Sequence, residues 1–484
     1  MSARFQPALK RGVTLGLLVL TLAFVAAAWP VIRSPQEPAD PPLLVNDVSR
    51  LNPIRVSRVV VPTTTEEIAA AVREHRGPIA IGGARHSMGG QIATEGALHI
   101  DMRRFNRIRG FSPAARTITV EAGATWRQIQ EVIDPHNLSV RIMQSYANFT
   151  VGGSLSVNGH GRYVGRGPLI GAVKSLSLIL ADGSLVAASP THQPEIFFGA
   201  IGGYGALGVI TEATLELTDN TKVKRRAGLM PLSDYKQFFV EHVQNDPSSV
   251  FHSANIFPDD YSTVRAVTLS TTADPVTVEE RLIPPRQAYR SNRLAFWIAT
   301  EWPFGQLLQR HVMDPVYFAG EPVSWRNYEA SRDVAELEPA SRDASTYLLQ
   351  EYFVPIDRID EFAARSREIL RRHRVNVVNV SIRHSTQDPG SLLAWARTDV
   401  FAFVIYYKQT TGPAAPPADV WSRALIDAAL DLGGSYYLPY QLHATPQQFA
   451  RAYPRAGEFR SLKQRLDPDS KFRNMFVDKY LRLP

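Results

Sequence analysis

The spacing of hydrophobic and polar residues predicts short strands mixed with helices over the first half of the chain. Residues 117–123 alternate between polar and apolar side chains, which is typical of a strand with one buried face. The apolar runs at 173–180 and 185–188 flank Asp182–Gly183, a dipeptide that favours the tight turn of a β-hairpin. This mixture predicts an α+β fold and not a doubly wound parallel sheet.

The pattern changes after residue 217 and predicts a second domain at 218–455. Longer helices appear there, and an antiparallel sheet is predicted from the extended stretches at 346–355, 375–384 and 400–408. We place the first domain at 56–217 and expect a basic segment at 456–484 to dock back on it.

The first 34 residues differ from the rest in their hydrophobicity. A mostly apolar run without charges, Gly12–Ile32, follows three basic residues, Arg4, Lys10 and Arg11. Such a run is long enough to cross a bilayer, and its basic flank favours a single-pass anchor in the inner membrane, with the rest of the chain on the extracytoplasmic side. Because Ala26–Ala28 resembles a cleavage site, export after signal cleavage is the alternative. Residues 35–55 are predicted to form a spacer.

Composition narrows the chemistry. The chain has no cysteine, which excludes disulfides, cysteine-ligated zinc and iron–sulfur clusters, and no metal site is predicted. Redox chemistry would therefore depend on an organic cofactor. The net charge of +7 favours anionic partners such as phosphate groups or acidic lipid headgroups. The arginines are scattered and form no basic run interleaved with aromatic residues, so no nucleic-acid partner is predicted.

Three glycine-rich segments in the first domain are candidates for binding an extended ligand that bears phosphate. They lie at 81–91, 150–161 and 202–211. Glycine adopts unusual backbone angles at low cost and lets N–H groups approach an anion closely. The first segment alone is a weak signal, because it is neither a Walker loop nor a Gly-x-Gly-x-x-Gly fingerprint and an ordinary turn has the same composition. Three such segments at strand or helix junctions together predict a long binding groove.

The order and spacing of these segments resemble the PCMH-type FAD-binding domain of the vanillyl-alcohol oxidase and p-cresol methylhydroxylase superfamily. The motifs Gly-x-x-His-Ser, Thr-Val-Gly-Gly-Ser-Leu and Gly-Gly-x-Gly-x-x-Gly-Val-Ile-Thr begin at Gly83, Thr150 and Gly202. The first two are similar to those of cytokinin dehydrogenases, and Asn158–Gly161 is similar to aldonolactone and alditol oxidases. The resemblance implies FAD as the cofactor and an oxidoreductase activity.

By this resemblance, residues 82–87 would hold the FAD pyrophosphate, and Ile210 would reach the adenine through its backbone. His86 would be joined covalently to the flavin, and a simple hydrogen bond to phosphate or backbone is the alternative. Ser145 stands where cytokinin dehydrogenases carry a proton-accepting aspartate, which argues against a cytokinin substrate. The predicted FAD-binding residues are Gly82, Gly83, Ala84, Arg85, His86, Ser87, Gln91, Ser145, Thr150, Gly152, Gly153, Ser156, Asn158, His160 and Ile210.

Two stretches of the second domain carry the candidate catalytic residues. The segment around Glu351 resembles a strand of sugar oxidases with polar active-site residues, and the segment around Arg383 resembles an arginine-bearing strand of alditol oxidases. An arginine buried beside the flavin would stabilise the anionic reduced ring, whereas a surface salt bridge is the alternative for either residue. Tyr440 stands where sugar oxidases often carry a lysine. Glu351, His384 and Tyr440 are all open as the catalytic base.

These features predict an FAD-dependent oxidoreductase that oxidises an alcohol group of a small polar substrate of the sugar, alditol or aldonolactone class. Hydride would pass to the flavin, and the electrons would go on to oxygen or a quinone. Two alternatives stay open. One is an oxidase of lipid-linked sugars at the membrane, which the apolar N-terminus favours and Tyr440 disfavours, and the other is a flavin-binding module without activity.

Overall fold

The protein is described by a computed structural model that covers residues 24–33, 40–412 and 415–482. Its strands are β1 (Leu44–Val45), β2 (Ile54–Arg55), β3 (Arg58–Val60), β4 (Ile79–Gly82), β5 (Leu98–Asp101), β6 (Ile108–Ser112), β7 (Thr117–Glu121), β8 (Leu138–Val140), β9 (Val173–Ile179), β10 (Leu185–Ala188), β11 (Val209–Asp219), β12 (Lys222–Pro231), β13 (Ser249–Ile256), β14 (Thr263–Thr271), β15 (Val323–Trp325), β16 (Ser345–Pro355), β17 (Asn376–Ser385), β18 (Val400–Thr410) and β19 (Ser435–Tyr436).

The α-helices are α1 (24–32), α2 (Thr65–Glu74), α3 (Trp126–Ile133), α4 (Val151–Ser156), α5 (Pro194–Ala200), α6 (Leu232–Phe239), α7 (Arg290–Glu301), α8 (Gly305–Leu308), α9 (Asp314–Tyr317), α10 (Arg326–Ala330), α11 (Ile359–Arg372), α12 (Ala418–Asp431), α13 (Pro446–Ala452), α14 (Ala456–Leu466) and α15 (Met475–Tyr480). Residues 240–244 and 309–313 form π-helical turns.

The described residues of the first half of the chain form a two-stranded sheet, β1-β2, and two larger sheets. A small parallel sheet has the order β3-β5-β4, and an antiparallel sheet has the order β10-β9-β11-β7-β6, with β8 also paired to β11. The predicted hairpin joins β9 and β10, and Gly183 adopts φ 82° in its turn. Helix α2 begins where the Thr64 side chain accepts a hydrogen bond from the N–H of Glu67. The α+β prediction is confirmed, although it did not include the parallel sheet.

The second half of the chain is built on one eight-stranded antiparallel sheet, as predicted. Its strand order is β15-β12-β14-β13-β17-β18-β16-β19. Helices α11 and α12 cover one face, where Phe362 packs on Tyr352 and Trp421 packs on Tyr407. Successive side chains of a strand point to opposite faces of the sheet. The neighbours of Tyr352 on β16 and of Tyr407 on β18 therefore face away from these helices, toward the first half of the chain.

The C-terminal segment lies against the first half of the chain. Phe472 forms a β-bridge with Ile79, and the N–H of Arg473 donates to the Ile79 carbonyl at 2.9 Å. The Lys463 ammonium is buried and donates to the carbonyl of Ala206 at 2.8 Å and to Asp467 at 2.8 Å. The C-terminal segment therefore follows the second half in sequence but packs on the first half of the chain.

The N-terminal prediction falls mainly on residues outside the described ranges. Of the apolar run Gly12–Ile32, the structure describes residues 24–32, which are helical. Among the described residues, no helix has the length and hydrophobicity needed to cross a membrane.

Candidate active site

A cleft lies between the first half of the chain and the uncovered face of the large sheet. It encloses about 1920 Å³ of space, part of which is open to solvent. Residues from both halves of the chain line the cleft, so a ligand bound there would contact both halves. Thirteen of the fifteen residues predicted to bind FAD line it: Gly83, Ala84, Arg85, His86, Ser87, Gln91, Ser145, Thr150, Gly152, Gly153, Ser156, His160 and Ile210.

The turn after β4 leaves backbone donors unpaired beside the cleft. The N–H groups of residues 84–87 donate no hydrogen bond within the described part of the chain. The turn is held from both sides, because Arg85 binds Asp101 at 3.1 Å and the N–H of Met88 donates to the Pro439 carbonyl at 2.7 Å. Gln91 adds a bond from its amide to the Leu438 carbonyl at 2.6 Å. A rigid row of free N–H groups is the donor set that a pyrophosphate needs.

Two glycines allow the glycine-rich segments to converge. A Cβ on Gly83 would collide with the Thr150 hydroxyl, and a Cβ on Gly152 would lie 2.7 Å from the Cβ of Ala122. The second and third segments are joined by a hydrogen bond from the N–H of Tyr204 to the Ser156 carbonyl at 2.9 Å. Close approach of the Thr150 side chain at Gly83 and of Ala122 at Gly152 is therefore the reason for glycine at these two positions.

Side chains around the turn offer unused polar atoms. The Ser87 and Ser145 hydroxyls and His86 Nδ1 are buried without a hydrogen-bond partner among the described residues. Burial lowers the pKa of His86 to about 4, and its ring packs on Phe149 with 4.5 Å between centroids. His86 is therefore a neutral imidazole near pH 7. Buried polar atoms normally have partners, so these atoms fit a bound polar ligand.

Two predicted FAD-binding residues lie outside the cleft. Gly82 is the last residue of β4, and a Cβ there would lie 2.6 Å from the His99 ring. Gly82 therefore faces His99 and not the cleft. Asn158 is fully buried, and its amide donates to Asp388 at 2.8 Å and to Ser391 at 3.1 Å. The motif Asn-Gly-His-Gly carries Asn158 at φ 45°. Its side chain therefore ties the first half of the chain to the second, which corrects the predicted ligand contact.

Three adjacent strands of the large sheet present alternate residues to the cleft. The cleft-facing residues are Tyr347, Leu349 and Glu351 on β16, Asn379, Ser381 and Arg383 on β17, and Val404 and Tyr406 on β18. Glu351 and Ser381 both pair with Val404, on its two sides. The sheet thus brings a carboxylate and a guanidinium, distant in sequence, onto one surface.

A hydrogen-bonded group of three side chains surrounds the Glu351 carboxylate. His160 Nε2 lies 2.6 Å from one carboxylate oxygen, and the Tyr440 hydroxyl donates to the other at 3.1 Å. The second ring nitrogen of His160, Nδ1, lies 3.3 Å from the Gly161 carbonyl, so both ring nitrogens face oxygen atoms, and a single ring proton can serve only one of them. Burial and the Glu351 charge raise the pKa of Tyr440 well above its ordinary value. Sequence reasoning had placed His160 in the FAD site and did not foresee this contact.

Arg383 lies in the cleft with its Nε buried and without a hydrogen-bond partner among the described residues. It forms no described salt bridge, so the surface ion pair that was its alternative is absent from the described part of the chain. Burial, together with the charges of Arg332 and Arg383, lowers the pKa of Arg162 to about 10. Arg162, Arg332 and Arg383 therefore lie near one another at the part of the cleft that Arg383 lines.

His384 does not reach the cleft, which corrects its place among the candidate bases. It follows Arg383 on β17 and points to the opposite face, where its ring packs on Phe239 with 4.9 Å between centroids. Both ring nitrogens are buried without a hydrogen-bond partner among the described residues, and Asp399 lies 4.0 Å away. Burial lowers the pKa of His384 to about 4.

One end of the cleft is apolar and aromatic, and sequence reasoning missed its residues. They are Phe296, Val334, Leu337, Tyr347, Leu349 and Tyr406. The alternation along β16 places Tyr347 and Leu349 on the same face as Glu351, so these two were accessible to a period-two argument. Phe296 and Leu337 belong to helical segments that contain no motif. Only the tertiary structure shows that they line the cleft.

The family comparison agrees with this geometry. The family model described as FAD binding domain matches residues 56–189. An alditol oxidase of a Streptomyces species is 25% identical over 86% of this chain and 94% of its own length. The L-gulonolactone oxidase of Mus musculus is 21% identical over 85% of this chain and 92% of its own length.

Among solved structures, the cholesterol oxidase of Brevibacterium sterolicum is similar, with a TM-score of 0.70 and 15% identity. The match covers 93% of this chain and all of that one, which shows a shared fold. The matched segment contains the first two glycine-rich segments, and their unpaired N–H groups and close glycine contacts fit FAD. The protein is therefore an FAD-dependent oxidoreductase with a PCMH-type FAD-binding domain at residues 56–189.

Proposed function

We propose that the protein oxidises an alcohol group of a sugar, alditol or aldonolactone. The observation that carries the proposal is the hydrogen-bonded group His160–Glu351–Tyr440, which shares the cleft with Arg383 and the glycine-rich segments. Oxidation of an alcohol needs a base for the hydroxyl proton and a positive group for the charge that develops. The alditol and L-gulonolactone oxidases among the relatives support this substrate class.

The residues on the first side of the cleft would hold FAD. The N–H groups of residues 84–87 would bind its pyrophosphate, and Thr150, Gly152 and Gly153 would border the rest. When bound, the flavin supplies a two-electron acceptor for the hydride that leaves the carbinol carbon.

Glu351 is the base in this proposal. Tyr440 stays protonated because its pKa is raised, and it therefore acts as a hydrogen-bond donor. With its ring proton on Nε2, His160 donates to the other carboxylate oxygen. A carboxylate has about four acceptor sites, so two remain for the substrate hydroxyl after these bonds. The hydroxyl proton moves to a Glu351 oxygen, while His160 and Tyr440 hold the carboxylate in position.

Arg383 is the electrostatic partner in this proposal. Its unpaired Nε in a buried position supplies a fixed positive charge, which acts more strongly in a cleft than in water. This charge favours the anionic form of the reduced flavin ring.

His86 is proposed to bind the flavin covalently. Its neutral ring and its unpartnered Nδ1 provide a nucleophilic nitrogen beside the turn that holds the pyrophosphate. Acid precipitation of the wild type is expected to leave the flavin on the protein, and His86→Ala is expected to release it. Free flavin in the supernatant of the wild type would refute the linkage and would leave FAD binding intact.

A second candidate substrate is a sugar or alcohol linked to a lipid chain. The observation that favours it is the apolar end of the cleft, where Phe296, Leu337 and Tyr406 would surround a hydrocarbon group. A small polyol would leave this surface in contact with water.

We also propose that the N-terminal apolar run anchors the protein in the inner membrane, with residues 40–482 on the extracytoplasmic side. The support is the run Gly12–Ile32 and its basic flank. The electron acceptor is then oxygen or a membrane quinone. A reporter fused after Pro484 that is active only in the cytoplasm would refute this orientation.

One experiment tests the substrate proposal directly. The purified holoprotein is mixed without oxygen with sugars, alditols, aldonolactones and polyprenyl-phosphate sugars, and bleaching of the flavin absorbance is recorded. Fast bleaching by a free polyol or lactone supports the first candidate, and bleaching by the lipid-linked sugar alone supports the second. If no compound with an alcohol group reduces the flavin, the proposed function is wrong.

A further inference from the structure

The exposed large apolar side chains are concentrated on two neighbouring segments. Fifteen such side chains are exposed among the described residues. Nine of them lie within 24–33 and 302–317: Val25, Trp29, Trp302, Phe304, Leu307, Leu308, Val312, Val316 and Tyr317. We call this group the apolar face. Phe304 is 78% exposed and Val316 is 74% exposed, although both are fully apolar. Soluble surfaces rarely expose so continuous an apolar group without a partner.

The local structure places these side chains on one side. Residues 304, 308, 312 and 316 recur every four positions along α8, the π-helical turn at 309–313 and α9. A π-helical turn has more residues per turn than an α-helix, so a spacing of four keeps the stripe in line. The segment is therefore amphipathic, with its polar side turned to the protein, where Arg310 binds Asp259 at 2.8 Å and Gln306 donates to the Val377 carbonyl at 3.1 Å.

The N-terminal apolar run joins the protein at this place. Phe24 packs on Trp297 and Trp302, with 6.1 and 5.0 Å between ring centroids. Phe24 belongs to the apolar run Gly12–Ile32, so this run meets the rest of the protein next to the apolar face. Trp29, Trp297 and Trp302 are three of the seven tryptophans of the chain. Tryptophan is enriched where a protein meets the headgroups of a bilayer.

The charges around the face are mainly positive. Arg33 lies over the ring of Trp29, which is part of the apolar face. The acidic residues on these helices are neutralised, because Glu301 binds Lys408 and Asp314 binds Arg265. In the sequence, Arg4, Lys10, Arg11 and Arg33 precede the first acidic residue, Glu37. Basic residues beside an apolar face favour anionic lipid headgroups.

We propose that the apolar face docks on the surface of an anionic lipid bilayer, with Phe304, Val312 and Val316 inserted among the lipids. A segment of this kind lies in the interface with its apolar side among the acyl chains and its basic flank at the headgroups. Helix α7 connects this surface to the cleft, since Phe296 lines the cleft and the next residue, Trp297, contacts Phe24. Docking does not depend on the reaction that the cleft performs.

The absence of cysteine from the natural sequence makes a direct test available. Phe304→Cys and Val316→Cys in the full chain each introduce one site for a fluorophore that brightens in an apolar environment. The labelled proteins are bound to vesicles of phosphatidylcholine and phosphatidylglycerol, with or without lipids that carry a quenching nitroxide in the acyl chain. Leu185→Cys and Val420→Cys serve as controls. These apolar side chains are 56% and 50% exposed and lie outside the apolar face.

We expect emission at 304 and 316 to rise severalfold on vesicles, to be quenched by the nitroxide lipid, and to rise less on phosphatidylcholine alone. The probes at 185 and 420 are expected to stay in water. Probes at 304 and 316 that stay in water while the protein is bound to vesicles would overturn the proposal. A rise without vesicles that grows with protein concentration would also overturn it, since a second copy of the chain would then cover the face.

Discussion

The two walls of the cleft provide their binding groups from different parts of the chain. On the first wall the groups are backbone N–H groups at 84–87, supported by glycines that let the segments touch. On the second wall the groups are side chains, with Glu351 on β16 and Arg383 on β17, the two strands that flank β18 in one sheet. The first wall therefore depends on backbone path, and the second depends on which face of a strand a residue occupies.

This difference has consequences for how each wall responds to substitution. A backbone site tolerates changes of side chain but does not tolerate a Cβ where two segments touch. A side-chain site keeps its shape when a carboxylate becomes an amide, yet it loses the chemistry. Substitutions on the second wall should therefore slow the reaction with FAD in place, whereas a Cβ added on the first wall where two segments touch should weaken FAD binding.

The largest effect is expected for Glu351→Gln. The amide keeps the size of the side chain but is not a base, so flavin reduction by the substrate should slow by about 10²–10⁴ while the FAD content stays unchanged. Stopped-flow absorbance without oxygen measures the rate. Tyr440→Phe removes one donor to the carboxylate and keeps the ring, so its loss should be smaller. Wild-type speed in Glu351→Gln would contradict the assignment of the base.

Arg383→Ala is expected to slow flavin reduction by about 10²–10³, the size of one preorganised electrostatic contact in an active site. Arg383→Lys should recover part of the loss, because it restores the charge without the planar guanidinium. The matched control is His384→Ala, the next residue on the same strand but on the other face, which should keep the wild-type rate. Equal losses in Arg383→Ala and His384→Ala would mean that the whole strand had been disturbed.

Gly152→Ala is expected to weaken FAD binding by about tenfold or more, equivalent to about 1.4 kcal/mol. The added Cβ would lie 2.7 Å from the Cβ of Ala122 and 3.0 Å from its carbonyl oxygen, so the second segment has to move. The variant is combined with His86→Ala, so that the flavin can dissociate, and FAD titration of the apoprotein measures the change against His86→Ala alone. Gly228→Ala is the control, because a Cβ there meets no atom within 4 Å. An unchanged FAD affinity in the double variant would contradict the backbone account of this wall.

The last expected effect is a pH dependence of the free energy of unfolding. It arises from His384, on the face of the large sheet that points away from the cleft. Burial lowers the pKa of His384 from its ordinary value of 6.5 to about 4, so between these pH values the unfolded chain binds the proton and the folded one does not. Stability is therefore present above pH 6.5 and is lost as the pH falls toward 4, by about 1.4 kcal/mol per pH unit for one such histidine. Thermal unfolding of His384→Leu should show a shallower loss over this range. An unchanged slope would mean that the folded protein protonates His384 as easily as the unfolded chain does.

Much of the first wall followed from the sequence because its binding groups are local. Gly83–Ser87 and Thr150–Gly153 each form a short backbone path whose glycines are visible in the sequence. Asn158 shows where this reasoning stops. It belongs to a motif, but its side chain turns to Asp388 and Ser391, which lie 230 and 233 residues away in sequence.

The sequence by itself determined the α+β fold, the hairpin at Asp182–Gly183 and the FAD-binding segments, because hydrophobic period and turn chemistry are properties of neighbouring residues. Only the tertiary structure separated His384, which lies on the other face of its strand, from Glu351 and Tyr440, which share the cleft. Only it brought His160 to Glu351 across 191 residues. It also gathered the apolar face from 24–33 and 302–317. The reason is that a one-residue step along a strand reverses the face of a side chain, and that contacts between strands and segments are set by packing rather than by local sequence.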